Sequence, residues 1–187
     1  MMVRSVCKTA GITAGLLLVV ATGTWASGQR GDAPKSRATA PSGAEIAAAA
    51  RAARLDTANA GTVTMFGKPF RFTPAQVKTK ADRPDDGNGE FLGVLENGAV
   101  GDETGLPPGK YNLYVAIVNG QLKGYAEANG RIAKEAIRAS STPAQEGAKG
   151  RPQFNEKGWS VRVYFCSTYV RLNGEGYFSC RWRTLSF

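Results

Sequence analysis

Along most of the chain, apolar residues alternate with polar ones in short runs separated by turn-forming pairs. Runs rich in Val, Phe, Tyr and Thr occupy 62–66, 69–73, 91–95, 110–118, 121–127, 159–170 and 176–185. β-Branched and aromatic side chains suit the pleated, half-buried surface of a strand. Five Asn-Gly dipeptides lie beside these runs, at 88–89, 97–98, 119–120, 129–130 and 173–174. Both residues of such a pair tolerate the positive φ that a tight hairpin turn demands. The pattern predicts an all-β domain over residues 61–187, an antiparallel β-sandwich or a small barrel.

One hairpin can be registered residue by residue. A two-residue turn at Asn119-Gly120 opposes Ile117 to Leu122, Val115 to Gly124 and Leu113 to Ala126, all on one face with Tyr111. The other face carries Asn112, Tyr114, Lys123 and Tyr125 and reads as the wetter one. Residues 131–139 fit two elements. Ile132, Ala133, Ala136 and Ile137 make a helical stripe, whereas a strand after Asn129-Gly130 would complete a hairpin. Residues 139–153, rich in Ala, Ser, Thr, Pro, Gln, Gly and Lys, predict a long exposed loop.

Before residue 61 the pattern is different. Arg4 and Lys8 precede an apolar run from Gly11 to Ala21, and Thr24-Trp25-Ala26 supplies small residues for cleavage. This is the layout of an export signal over 1–26, and it predicts a periplasmic or extracellular protein cleaved near Ala26. A retained membrane anchor would need roughly 20 predominantly apolar residues, and the run is about half as long. Cys7 lies ahead of the run, which disfavours a lipoprotein, and no paired arginines mark the twin-arginine route. No later segment is apolar enough to span a bilayer.

Residues 27–60 read as a flexible arm with one short helix. Residues 27–41 have no apolar period. Ser42-Gly43-Ala44-Glu45 then has the spacing of a capping box, and the alanines after it favour helix, so a short Ala-rich helix is predicted near 43–57. Its only large apolar residues are Ile46 and Leu55, which predicts weak packing.

Charge adds a hint about partners. Lys and Arg number 24 against 15 Asp and Glu, a formal charge of +9, or +7 once Arg4 and Lys8 are removed with the signal. Such a charge favours anionic surfaces, polymers or lipid head groups, and it also serves plain solubility. A possible partner is thus an anionic polymer or envelope surface; no nucleic acid is expected.

Export also changes the meaning of the two remaining cysteines, Cys166 and Cys180. In an oxidising compartment an isolated pair usually bonds. A three-residue loop Leu172-Asn173-Gly174, with Gly174 left-handed, opposes Tyr169 to Tyr177 and Cys166 to Cys180. Opposed Cβ atoms lie about 4.5–5.5 Å apart, within small adjustment of what a disulfide needs. Closing a loop of about 15 residues contributes roughly 3 kcal/mol by chain entropy. A metal site needs more ligands than two sulfurs, and a redox pair is usually spaced closer.

The same region holds the candidate binding surface. Residues 151–187 contain nine of the 17 aromatics, together with Arg151, Lys157, Arg162, Arg171, Arg181 and Arg183. Interleaved aromatic and basic residues suit stacking plus contact with anionic groups, and Trp159, Arg162, Tyr164, Arg181, Trp182 and Arg183 are the candidates. The other reading has the aromatics fill a core with arginines on the outer face. Registration leaves both open. Val161, Val163, Phe165 and Leu185 share a face with Arg181 and Arg183, while Tyr164, Phe178 and Trp182 share the opposite face with the cysteines.

Several chemistries have no residues to carry them. The chain contains no histidine, which removes Ser-His-Asp and Cys-His catalysis and histidine zinc sites. Glu90, Glu96, Asp102, Glu103 and Glu127 lie near predicted strands and could in principle pair, but nothing in their spacing shows two of them about 5–10 Å apart as two-carboxylate catalysis requires, and they read as turn and surface groups. Asp82 to Glu90 is rich in oxygens but lacks the spacing of an EF-hand calcium loop, and its Asp-Gly and Asn-Gly pairs make ordinary turns. No cofactor, metal or enzyme activity is expected.

One segment carries a family likeness. Gly105-Leu106-Pro107-Pro108-Gly109-Lys110-Tyr111-Asn112-Leu113-Tyr114-Val115 resembles the Leu-Pro-x-Gly-x-Tyr-x-Leu/Val segment of carboxypeptidase-regulatory-like and transthyretin-like β-sandwich domains. There a Pro-Gly turn leads into a strand with an inward Tyr, and Gly89 to Val94 would be the preceding strand. The resemblance covers about 30 residues and implies a non-catalytic sandwich of seven strands, with no site residues. The C-terminal disulfide hairpin departs from it. The expected function is that of an exported, non-catalytic β-domain acting by binding or as an envelope or extracellular component. The alternatives are a module for anionic polysaccharide or another polyanion, a secreted enzyme inhibitor, and a small secreted enzyme.

Overall fold

The computed structural model describes residues 36–82, 89–98, 105–145, 150–157, 159–170 and 174–187. The predicted export signal, the tether up to residue 35, Asp102, Glu103, most of the oxygen-rich loop and the hairpin tip at 171–173 lie outside these residues.

Two antiparallel sheets pack face to face as a sandwich. The first is a six-stranded meander: β1 (Gly61–Met65), β2 (Lys68–Pro74), β3 (Glu90–Asn97), β4 (Gly109–Val118), β5 (Gln121–Ala128) and β6 (Arg131–Glu135), each paired with the next. The second contains β7 (Arg138–Pro143), β8 (Gln153–Asn155), β9 (Ser160–Val170) and β10 (Gly176–Ser186), in the order β7-β10-β9-β8. These ten described strands exceed the seven of the sandwich implied by the family likeness. Among the described residues, no helix is long and apolar enough to cross a membrane.

The turns follow the backbone chemistry. Asn119-Gly120 and Asn129-Gly130 both sit at positive φ and close β4–β5 and β5–β6. Phe66-Gly67 closes β1–β2 in the same conformation, with the Phe66 amide donating to Glu156 Oε1 at 2.8 Å. Asn97-Gly98 makes no such turn, because Asn97 opposes Gly109. The buried Asn97 side chain instead donates to the Leu106 carbonyl at 2.8 Å, so it braces the β3–β4 connection.

The registered β4–β5 hairpin pairs as expected, Ile117 with Leu122, Val115 with Gly124 and Leu113 with Ala126. Its inner face joins the main core with Phe70, Phe72, Leu92, Leu95 and Tyr111. From the second sheet come Trp159, Val161, Val163, Phe165, Leu185 and Phe187. Tyr111 also donates its hydroxyl to the Pro107 carbonyl at 2.7 Å, which satisfies its one polar atom.

Three expectations are corrected. Residues 131–135 form strand, so the helical stripe at 131–139 is not used. Residues 139–153 are no single loop, since β7 takes up the stretch as far as Pro143 and β8 starts at its last residue, Gln153; both are polar edge strands with little apolar alternation. The face expected to be wetter is covered. Tyr114 and Tyr125 are buried with Phe91, Val94, Ala116 and Val118 beneath α1 (Gly43–Ala52).

That helix ends at Ala52, short of the predicted 57, and Ile46 on it is fully buried. Its alanines allow close approach to the sheet, and a Cβ at Gly43 would collide with the Gly130 carbonyl oxygen. Half of the capping box forms: the Glu45 amide donates to Ser42 Oγ at 3.2 Å. The Glu45 carboxylate pairs with Arg37, whose pKa is raised chiefly by that hydrogen bond. Arg37 in turn extends the first sheet, its amide donating to the Ile117 carbonyl at 2.8 Å. Residues 36–60 are therefore held on the sandwich.

A β-bulge in β3 sets which of its side chains face inward. Phe91 opposes Tyr114 and Gly93 opposes Leu113, leaving Leu92 as the extra residue. Gly93 has φ 143°, and a Cβ there would strike the Thr73 carbonyl oxygen. The bulge keeps Leu92 and Leu95 both in the core while Phe91 and Val94 both face α1. It also turns Glu90 toward the second sheet.

Candidate functional site

The β9–β10 hairpin, with Trp159 immediately before it, carries all the predicted site residues. Its register opposes Tyr169 to Tyr177 and Cys166 to Cys180, and the two sulfurs are bonded. Residues directly opposed across an antiparallel pair share a face. The six candidate binding residues therefore divide into two groups of three. Trp159, Arg181 and Arg183 belong to the inner face, and Arg162, Tyr164 and Trp182 to the outer one.

The inner group is largely committed to the fold. Trp159 is buried between Phe70 and Phe187, with ring centroids 6.0 and 5.1 Å away. Arg181 opposes Phe165 and is half-buried. Arg183 is buried and meets Glu90 of β3 in a two-pronged contact, Nε to Oε2 at 3.0 Å and Nη2 to Oε1 at 2.8 Å. The Tyr169 hydroxyl donates to the same Oε1. Burial alone would lower the Arg183 pKa, but the adjacent carboxylate more than offsets it, so the pKa is raised. Burial, then the Glu90 charge, push Tyr169 well above the ordinary tyrosine range. Beside Tyr169 and Arg183 a space of about 20 Å³ suffices for a water at most. The arrangement ties the two sheets together.

The outer group forms a ladder. Tyr164 and Trp182 meet edge to face with centroids 5.4 Å apart, and Arg162 lies 4.7 Å over the Trp182 ring. A Cβ on Gly150 would collide with Tyr164, so the chain crosses the ladder at this point only as glycine. Beside it lie the disulfide and Phe178, with Lys80 Nζ 5.7 Å from the Phe178 ring centroid.

A cleft opens where the β9 edge is left uncovered. β8 pairs only with Ser160, Val161 and Arg162. Further along β9, a strap leaving β2 takes over: the Lys78 amide donates to the Cys166 carbonyl at 3.2 Å, and Thr168 Oγ1 to the Thr79 carbonyl at 3.3 Å. Between the strap and Gly150-Arg151 is a cleft of about 1180 Å³. Tyr164, Cys166 and Phe178 line its hairpin side, Pro74, Ala75 and Val77 the opposite wall. Lys78, Lys80 and Arg151 supply its positive charge. Among the described residues of the lining the one acid, Asp56, accepts from Asn59 Nδ2 at 2.6 Å.

A smaller cleft of about 640 Å³ lies across the strap, between α1, Gly89–Phe91 and Tyr114. Its Glu90 is occupied by Arg183 and Tyr169, and its Asp82 accepts from the Thr79 amide and hydroxyl, which lowers the Asp82 pKa.

Of the six candidates, only Tyr164 lines the larger cleft, with Trp182 and Arg162 in the ladder beside it. Arg151 and Phe178 belong to the basic-aromatic stretch noted in the sequence. Lys78 and Lys80 lie in a segment with no period, and the strap's hydrogen bonds to β9 bring them to the hairpin. No protein-family model, curated protein or solved structure matches the chain.

Proposed function

We propose that this protein is an exported, non-catalytic binding domain that holds an anionic ligand in the cleft beside the Cys166–Cys180 hairpin. One observation carries the reading: Lys78, Lys80 and Arg151, from two distant chain segments, converge on one cleft with an apolar and aromatic lining. Low-dielectric walls whose charge is mainly of one sign focus the field and concentrate counter-charged ligands. Export is supported by the disulfide, which belongs to an oxidising compartment. Against catalysis stand the engagements of the buried carboxylates. Glu90 is held by Arg183 and Tyr169, and Glu127 by Asn112 Nδ2 and the Gly130 amide, both at 2.6 Å. A general acid or base must instead face its substrate.

The test is calorimetric titration with dextran sulfate and neutral dextran, at low salt and at about 0.15 M. The sulfated polymer should bind and the neutral one should not. Lys78→Gln/Arg151→Gln should weaken binding at least ten-fold more than a control of equal charge change on exposed residues elsewhere, Lys68→Gln/Arg131→Gln. Equal losses in the two variants would mean bulk charge and would sink the cleft as the site.

A further inference from the structure

We infer that the ligand of this cleft is an anionic amphiphile, a single-chain molecule with an apolar tail and a phosphate-like head. The inference rests on the cleft being the binding site and names the chemistry it selects.

The lining changes character with depth. Pro74, Ala75 and Cys166 are buried, Val77 and Phe178 are half-buried, and Lys80 and Arg151 are exposed. An apolar base below a cationic rim orients a molecule tail inward and head outward. A sugar chain makes different demands, because hydroxyls taken out of water need hydrogen-bond partners. Each uncharged polar side chain of this lining already spends a donor within the protein, which leaves few donors to meet a row of sugar hydroxyls. Asn59 Nδ2 donates to Asp56, Thr79 Oγ1 to Asp82 at 3.0 Å, and the Tyr164 hydroxyl to the Gln145 carbonyl at 3.1 Å. Stacking of a planar ring on Phe178 would compete with Lys80, which already lies over it. A flexible aliphatic tail needs neither a hydroxyl partner nor an open aromatic face, and the rim cations complement its head.

Hexyl, octyl and decyl phosphate, each below its critical micelle concentration, test this by calorimetry beside inorganic phosphate and dextran sulfate. Affinity should rise with chain length at one-to-one stoichiometry, up to about fourfold per methylene buried. Phe178→Ala should flatten that rise, and Lys78→Gln/Arg151→Gln should weaken every member together. Val77→Asp gives a second flattening variant should Phe178→Ala fail to show a native melting transition. A flat series, or a rise that neither wall variant changes, overturns the inference. So does binding to phosphatidylglycerol vesicles without binding of the monomeric alkyl phosphates. If the series is flat but dextran sulfate binding still depends on Lys78 and Arg151, the amphiphile fails and the cleft stands. If neither probe responds to the cleft variants, both readings fail.

Discussion

Arg162 and Arg183 lie one step apart on the same strand pair, since Arg162 opposes Thr184 and Arg183 opposes Val163. One faces out and rests on Trp182. The other faces in and is locked to Glu90 and Tyr169. The two are the same residue in neighbouring positions, and the face decides what each does. A charge taken out of water is tolerated only with a partner of opposite sign in good geometry. At a half-exposed site the cation remains partly hydrated, and the aromatic contact adds a modest amount.

The inner arginine offers the strongest test of this contrast. Arg183→Met leaves the Glu90 carboxylate buried without its counter-charge and should cost about 3–5 kcal/mol, read from the shift in urea midpoint. Glu90→Gln/Arg183→Met removes both charges and should lie closer to wild type than the single variant. A double variant no better than the single one would mean that shape, not charge, makes Arg183 indispensable.

The disulfide belongs to the outer face and comes next. Cys166→Ser/Cys180→Ser should lose about 3 kcal/mol, as expected for a cross-link closing a short loop. The Glu90 cluster belongs to the inner face, so this loss should add to that of Arg183→Met rather than overlap with it.

Alkaline pH probes the inner face again. The Tyr169 pKa is raised in the fold, so above about pH 10 the unfolded chain sheds a proton that the folded one keeps. Its stabilisation is complete below that pH and is lost as pH rises, by up to about 1.4 kcal/mol per unit. Tyr111 and Tyr125 are raised by burial as well, so Tyr169→Phe should reduce the alkaline slope without abolishing it. An unchanged slope in chemical denaturation between pH 9 and 11 would exclude Tyr169 as a source.

The outer arginine closes the series. Arg162→Ala should cost about 0.5–1 kcal/mol, the usual worth of a cation–π contact near the surface. A loss as large as that of Arg183→Met would erase the distinction between the faces.

The strands were legible because their signals are local. Alternation, β-branched residues and Asn-Gly pairs act over a few residues, so β4, β5, β9 and β10 could be placed and the first pair registered. The cysteine pairing was legible for the same reason, since the register of a three-residue hairpin loop opposes Cys166 to Cys180. β7 and β8 were not, because a polar edge strand is recruited by its neighbour's open hydrogen bonds rather than by an apolar pattern of its own. The cover over Tyr114 and Tyr125 was not either, since an alanine-rich helix carries little apolar signal yet packs closely for that very reason.

The candidate site shows the same limit more sharply. Both faces of β9–β10 carry aromatics and arginines, so composition could not say which turns inward. Packing of Val161, Val163, Phe165 and Leu185 on the first sheet marks the inner face, and the bulge in β3 gives the arginine on that face its partner by presenting Glu90 to Arg183, a contact between residues distant in sequence. The cleft likewise exists only because the strap reaches the β9 edge and brings Lys78 and Lys80 to Phe178 and Arg151. By itself the sequence determined the strands that carry their own apolar alternation, the Asn119-Gly120 hairpin and the disulfide pairing, all set by interactions between near neighbours or across one hairpin. The tertiary structure alone decided which face is buried and where charge gathers, because both depend on long-range contacts between chain segments that carry no local mark of one another.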